Sequence, residues 1–349
     1  MSNTRGNGNA GVWVRGRGGR YRGGSSDASP GVKRGGGPSN AKPPRQMKME
    51  LIASVSRSSG LEKDGDALKD FRTQEEYRSF IQDKVDALRQ TQAQAPAAET
   101  PKEALNRKDK QGNILILFRK LREGIVASKR TDQFAVEAFE TSAYLAIIFE
   151  SPRDMTTPLA HLVPDLYSKI PSPLMRLTTL LSLVHHIVAA YPSQGTYRHH
   201  LQGIPPAFLP EASDSRLWIE SLAASLRALN YTKFERLSRA RSFAQLCTVD
   251  SQSPSPHSKL ASEALHVLVD ALRDKARETM WRVIRSAYRE VNCDPASGTT
   301  RAWLTRSLAL PTSADENAVL DDWFERKAAE GQVKKKEGAT EGRWIIYKV

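Results

Sequence analysis

From Thr73 onward, stretches in which apolar residues return every three or four positions alternate with short polar or proline-bearing breaks, which predicts successive amphipathic helices. The first apolar face is Tyr77, Phe80, Ile81, Val85 and Leu88, opened by a capping-box spacing of Thr73 and Glu76. This isolated amphipathic helix is assigned to residues 73–95, with a linker rich in Ala, Gln and Pro behind it and running to 112, and it is expected to dock back on the body. The helical repeats are assigned to 113–257. Ile114, Leu117, Phe118, Leu121 and Ile125 form their first face, and Ser128 to Asp132 turns the chain. Phe134 to Phe149 is apolar almost all round, as a helix inside an array should be. Pro152 ends it, and Thr157-Pro158 and Ser172-Pro173 open the next two helices. A polar stretch from Pro192 to Pro210 interrupts. Two further helices follow, on Trp218, Leu222, Leu226 and Leu229, and on Tyr231, Phe234 and Leu237. No fixed period links these faces, so the pattern predicts an irregular stack and not a consensus solenoid.

The last part, 258–349, changes character. Helical spacing runs unbroken through Leu260, Leu265, Leu268, Leu272, Ala276, Met280, Ile284, Ala287, Tyr288 and Val291. Short helices are predicted around Ala302 to Leu308 and from Ala314 to Ala329, then strand-like runs at Gln332 to Lys335 and Arg343 to Val349, joined by Gly338 to Gly342. Helix, helix, strand, turn, strand predicts a winged helix. The fold class is therefore all-α: an irregular helical-repeat stack closed by a C-terminal winged helix.

Composition adds a third region. Twelve of the 22 glycines fall in the first fifty residues, which lack apolar periodicity, and residues 1–70 are read as a disordered RG-rich tail. Of the net charge of +13, residues 1–50 carry +8, so the basic character speaks mainly for the tail's partner. Arg15, Arg17, Arg20 and Arg22 alternate with glycine, Tyr21 and Trp13 add aromatic faces, and Lys33-Arg34 precedes a second glycine run. Flexible arginine with interleaved aromatics binds RNA with salt-dependent, weakly selective affinity. Arg15, Arg17, Arg20, Tyr21, Arg22 and Arg34 are the candidate RNA contacts, the alternative being a solubilising tail. In the winged helix, Asp315, Glu316, Asp321, Asp322 and Glu325 outnumber Arg326 and Lys327 on the second helix, and Ser313 with Glu316 forms a capping box. That face repels a duplex backbone. Lys334, Lys335, Lys336 and Arg343 instead make a compact basic wing, either a second anionic contact or lysines guarding an exposed strand edge.

Catalytic motifs are wanting. His185-His186 and His199-His200 are adjacent pairs that do not face one way on a helix, and no CxxC or HExxH spacing supplies further ligands, so neither a metal nor another cofactor is expected. Gly16-Arg17-Gly18 neither follows a strand nor opens a helix, and no Walker-type loop or GxSxG elbow occurs. Cys247 and Cys293 read as core thiols, and two cysteines without a secretory signal argue for a reducing compartment, nuclear or cytoplasmic. No stretch approaches a membrane span, and no membrane partner is expected.

The run Leu226-Arg227-Ala228-Leu229-Asn230-Tyr231-Thr232-Lys233-Phe234-Glu235-Arg236-Leu237, the segment Phe134 to Thr141, and the order of the long helix through Leu272-Arg273 to Tyr288 with Trp303-Leu304 to Leu308 resemble the SAC3/GANP group of PCI-like proteins. The resemblance spans roughly residues 113 to 349. It implies a non-catalytic scaffold in mRNA processing or nuclear export, located in the nucleus, with RNA and other PCI or scaffold proteins as partners. The alternative is a PCI-type structural subunit of a proteasome-lid, COP9-signalosome or translation-initiation-factor-3 assembly.

Overall fold

The computed structural model describes residues 49–55, 63–94, 99–247, 255–294, 298–311, 316–336 and 342–348, and these are mostly helical. Helix α1, Phe71–Ala93, buries Tyr77, Phe80, Ile81, Val85 and Leu88 along one face. Its cap is Asp70, whose carboxylate accepts the Thr73 backbone N–H at 2.8 Å. The expected Thr73–Glu76 box does not form, because Asp70 reaches the same N–H first and Glu76 pairs with Arg72. Helix α2, Pro101–Ala127, starts twelve residues before the expected Asn113. Thr100 and Glu103 close a capping box around Pro101 at its first turn. The turns from Lys102 to Gln111 are charged and largely exposed, so they carry no apolar stripe to betray the helix.

The packed body also begins earlier than Thr73, inside the span assigned to the tail. Ile52 and Leu68 lie in the main core, Leu68 on a 3-10 turn at Lys63–Lys69. That turn crosses α2 at Gly124, where a Cβ would stand 2.5 Å from the Leu68 carbonyl oxygen. Only glycine permits so close an approach. Residues 1–48 and 56–62 of the assigned tail lie outside the described residues.

Helix α3, Gln133–Ile148, is buried nearly all round and packs against α2, α4 (Pro152–Ala160) and the long helix. Its start is capped by Asp132. Helix α4 opens at Pro152 rather than at Thr157-Pro158, and Pro158 sits inside it. It is followed by a kinked segment, His161–Leu166, in which Val163 is extended (φ −117°, ψ 112°). Helix α5, Met175–Ala190, follows. The supposed polar interruption after it holds a helix of its own, α6, Gly195–Gly203. It was missed because its inward residues, Tyr197 within it and Ile204, Phe208 and Leu209 beyond, are few and unevenly spaced. Helices α7, Asp214–Arg227, α8, Tyr231–Leu237, and α9, Ala240–Phe243, complete the body.

Helix α10, Pro256–Ala287, ties the molecule together. Its 32 residues reach about 48 Å. Leu260, Leu265, Leu268, Val269, Leu272 and Ala276 join the main core, while Trp281 and Ile284 join a second, smaller one. Its N-terminus is fixed by a buried carboxylate. Glu140 of α3 accepts hydrogen bonds from Tyr167 (2.6 Å) and Ser172 (2.7 Å), and His257 lies 2.8 Å from its other oxygen. The helix ends at Ala287, and Tyr288 is already extended. Val291, expected at the end of this helix, instead belongs to strand β1, Glu290–Asn292. An inward valine satisfies either periodicity, and pairing with a distant strand decides between them.

Helices α11, Gly298–Ser307, and α12, Glu316–Ala329, and strands β2, Val333–Lys335, and β3, Arg343–Ile346, follow. The sheet is antiparallel in the order β1-β3-β2, with Trp344 opposite both Val291 and Lys335. Trp281, Trp323, Phe324 and Trp344 fill the space beneath it, with Phe324 stacked on Trp344 at 5.3 Å and Trp281 edge-on to Trp323 at 4.7 Å.

Candidate interaction surface of the C-terminal unit

The C-terminal unit is fastened to the body along a seam of arginines. Arg273, on the inward stripe of α10, donates to Ser238 Oγ at 2.7 Å and to the carbonyls of Ala309 and Leu310 at 3.0 Å each. One turn on, Arg277 donates to the carbonyls of Leu308 and Ala309, also at 3.0 Å. These are the unpaired carbonyls at the end of α11, where Ala309 turns back in the left-handed region (φ 47°). A cleft of about 500 Å³ runs beside the seam, lined by Arg239, Arg241, Asp270 and Pro311 among others. Two more buried cations lock the unit internally. Arg301 bonds the Cys293 carbonyl and Asp321 (2.9 Å), and Lys327 bridges Glu278 and Glu330 at 3.0 Å each.

The predicted basic wing is not a free cluster of charge. Strand alternation puts Lys335 on the core side, its ammonium over the Trp344 ring and 2.5 Å from Glu325. Lys336 pairs with Glu290 at 2.8 Å, and the same carboxylate lies 3.5 Å from Arg343. These cations hold Glu290 below the usual carboxylate range, chiefly through the Lys336 hydrogen bond. Lys334 stands on the opposite face of β2, paired across the sheet with Ile345. The compact patch read from the sequence is thus divided between two faces, and its charge is largely answered by Glu290 and Glu325. On α12, Asp321 and Glu325 serve as partners of Arg301 and Lys335, so part of the acidic face is spent on internal pairs. Ser313 of the proposed Ser313–Glu316 cap lies outside the described residues, as do Arg15, Arg17, Arg20, Tyr21, Arg22 and Arg34.

Elsewhere, the histidine pairs resolve into separate contacts. The rings of His186 of α5 and His200 of α6 pack at 4.3 Å with a 48° tilt, His200 Nε2 meets Ser182 at 2.9 Å, and His185 turns toward Thr156 at 3.2 Å. Among the described residues no group of three His, Cys, Asp or Glu side chains is placed to hold a metal. Burial pushes the Cys293 thiol up to about 12 and raises Cys247 as well, which disfavours the thiolate at both. No helix among the described residues is long and apolar enough to cross a membrane. The chain matches no protein-family model, no curated protein and no solved structure. Sequence reasoning passed over three buried charges: Glu140 and Arg273, which tie elements of the fold together, and Arg122. Each carried a signal, being a charged residue set on an otherwise apolar helical stripe.

Proposed function

We propose that the chain is a non-catalytic scaffold subunit of the SAC3/GANP kind, acting in mRNA processing or nuclear export and touching RNA through its arginine-glycine tail. The observation that carries this reading is α10, a single helix whose two ends belong to two different hydrophobic cores. Such a strut, with Arg273 and Arg277 fastening the far unit, presents a small mixed module at a set angle on a helical stack. That is the requirement of an assembly subunit. The order helix, strand, helix, helix, strand, strand, with the last strand central, supports reading the C-terminal unit as a winged helix. The tail reading rests on composition alone.

Affinity purification of the full chain from native extract tests the assignment. Nuclear mRNA-processing factors are the expected company. Recovery of a complete proteasome-lid, signalosome or initiation-factor-3 set overturns it in favour of a PCI-type assembly subunit. One observation favours that second reading: Lys335 and Lys336 are already paired, which suits a protein contact better than a phosphate backbone. For the RNA contact, Arg15, Arg17, Arg20 and Arg22 changed together to Ala should weaken binding across all sequences and flatten its salt dependence. Unchanged affinity in low-salt filter binding removes RNA from the account.

A further inference from the structure

The helical body holds a second arginine-lined cavity, remote in sequence from the C-terminal unit. It measures about 570 Å³ and opens between α2, α3, α4 and the segment at Val55. Its inner wall is Arg122 and Phe139. The Arg122 guanidinium lies 5.9 Å from the Phe139 ring centroid, and the His161 ring packs against the same ring, tilted by 31°, at 4.3 Å. Arg122 is only 6% exposed, yet among the described residues it makes no hydrogen bond and no ion pair, and its Nε–H is buried without an acceptor. Asp154 and Glu123 act on it electrostatically without closing to bonding distance. Glu123 accepts a hydrogen bond from Ser54 instead.

A buried charge normally carries partners that compensate its lost hydration, and this one lacks them. The cavity supplies the place where a partner fits. Arg119 and Arg153 stand at its mouth, so three guanidiniums face two carboxylates, and the site has room for one negative charge. His161 adds none, since burial lowers its pKa and keeps it neutral. The remaining wall, at Val55, Val126, Ala127, Phe139 and Thr157, is apolar but for the Thr157 hydroxyl.

We infer that this cavity binds a monoanionic carboxylate on an apolar frame, with Arg122 gripping the carboxylate by its planar fork and Phe139 flanking the apolar body. The carboxylate belongs either to a small aryl or acyl acid or to the C-terminus of a polypeptide ending in an apolar residue. The bound anion supplies the acceptor that Arg122 lacks, and binding therefore depends on both the charge and the geometry of that one side chain.

Isothermal titration of the full chain at 0.15 M salt tests this, with 2-naphthoate as probe and 2-naphthamide as its neutral counterpart. The tail's arginines are common to every variant, so differences between variants isolate the cavity. Naphthoate should bind at least tenfold more tightly than naphthamide. Arg122→Met should abolish that preference, and Arg122→Lys, which keeps the charge but not the fork, should retain only part of it. Far-UV circular dichroism verifies that the variants are folded, and Phe139→Leu gives an independent probe of the apolar wall, with an expected loss of several fold. A peptide ending in free-acid phenylalanine, set against its amide, distinguishes the sources: tighter binding than naphthoate assigns the site to a polypeptide terminus, weaker binding to a small acid. Equal binding of naphthoate and naphthamide, or wild-type affinity in folded Arg122→Met, overturns the proposal.

Discussion

The molecule buries arginine in two clefts of similar size and uses it in opposite ways. At the seam, Arg273 is 7% exposed and satisfied by one hydroxyl and two carbonyls. In the body, Arg122 is buried as deeply and is satisfied by nothing among the described residues. Burial lowers the pKa of both guanidiniums, so desolvation weighs on each. What separates them is partnership. The seam completes its hydrogen bonds within the fold and so holds two units together. The cavity leaves its charge open, and an open buried charge is a feature a ligand can complete.

The same substitution therefore has different consequences in the two places. Arg273→Met keeps an apolar chain of similar length but takes the donor from the Leu310 carbonyl and leaves the Ala309 carbonyl with Arg277 alone. The loss should be about 3–4 kcal/mol, within the range for breaking a buried charged network. Trp281, Trp303, Trp323 and Trp344 lie in the C-terminal unit, so tryptophan fluorescence reports mainly on it. In urea, fluorescence should shift to a lower midpoint than far-UV circular dichroism. Coincident transitions with an unchanged midpoint would show that the seam is not what couples the units.

A second change strikes the C-terminal unit without touching an arginine. Gly342 sits at φ 92°, and a Cβ there would stand 2.6 Å from the Asp294 backbone nitrogen. Its carbonyl also accepts the Cys293 N–H at 2.7 Å, which aligns β3 with the end of β1. Gly342→Ala should cost about 2 kcal/mol, through backbone strain and lost register. The fluorescence midpoint should fall as for Arg273→Met but by less, and the body's helical signal should follow only weakly.

How much of this was visible in the sequence follows from what each feature depends on. The stripes of α1, α3 and α10 were legible because burial of one face imposes a period whatever the partner. The end of α10 was not, since Val291 suits a helix and a strand equally and only the distant Trp344 settles it. The start of α2 was hidden because its first turns face solvent, although Thr100, Pro101 and Glu103 spelled out the cap. For the wing, three consecutive lysines looked like one patch because a sequence shows adjacency and not the side of a strand. Arg122 stands four residues after Phe118 and three before Ile125, and Arg273 stands four after Val269 and three before Ala276. Their positions announced burial in both cases, but nothing local told a satisfied arginine from an open one.

Acid should separate the regions next. Burial, reinforced by neighbouring histidines, brings His185 and His200 down to about 4 from an ordinary value near 6.5. The unfolded chain then takes up these protons first, so stability rises with pH across that window and is lost as pH falls from about 6.5 toward 4. His185 alone should remove on the order of 1–2 kcal/mol by pH 5. No histidine follows His266 in the sequence, so the C-terminal tryptophans should lag behind the helical signal on acidification from pH 7 to 5. His185→Gln should flatten the pH dependence of the melting temperature. An equally steep profile in that variant would place the acid sensitivity elsewhere.

The smallest expected effect is the one that bears hardest on the comparison. Arg122→Met removes a buried charge that has no bonded partner, so the desolvation it imposed disappears while no acceptor is orphaned. Methionine also fills the space beside Phe139 with a flexible apolar chain. The lost attraction to Asp154, Glu123 and the Phe139 face offsets part of that gain. The net change should lie between about zero and 1 kcal/mol of stabilisation, as when unneeded buried charges are replaced by apolar side chains. Urea midpoints of Arg122→Met and Arg273→Met, measured side by side, read the difference directly. If Arg122→Met instead falls by 2 kcal/mol or more, that arginine belongs with Arg273 as a structural bolt. An unchanged or raised midpoint, together with loss of carboxylate binding, leaves Arg122 with a ligand to hold rather than a fold to support.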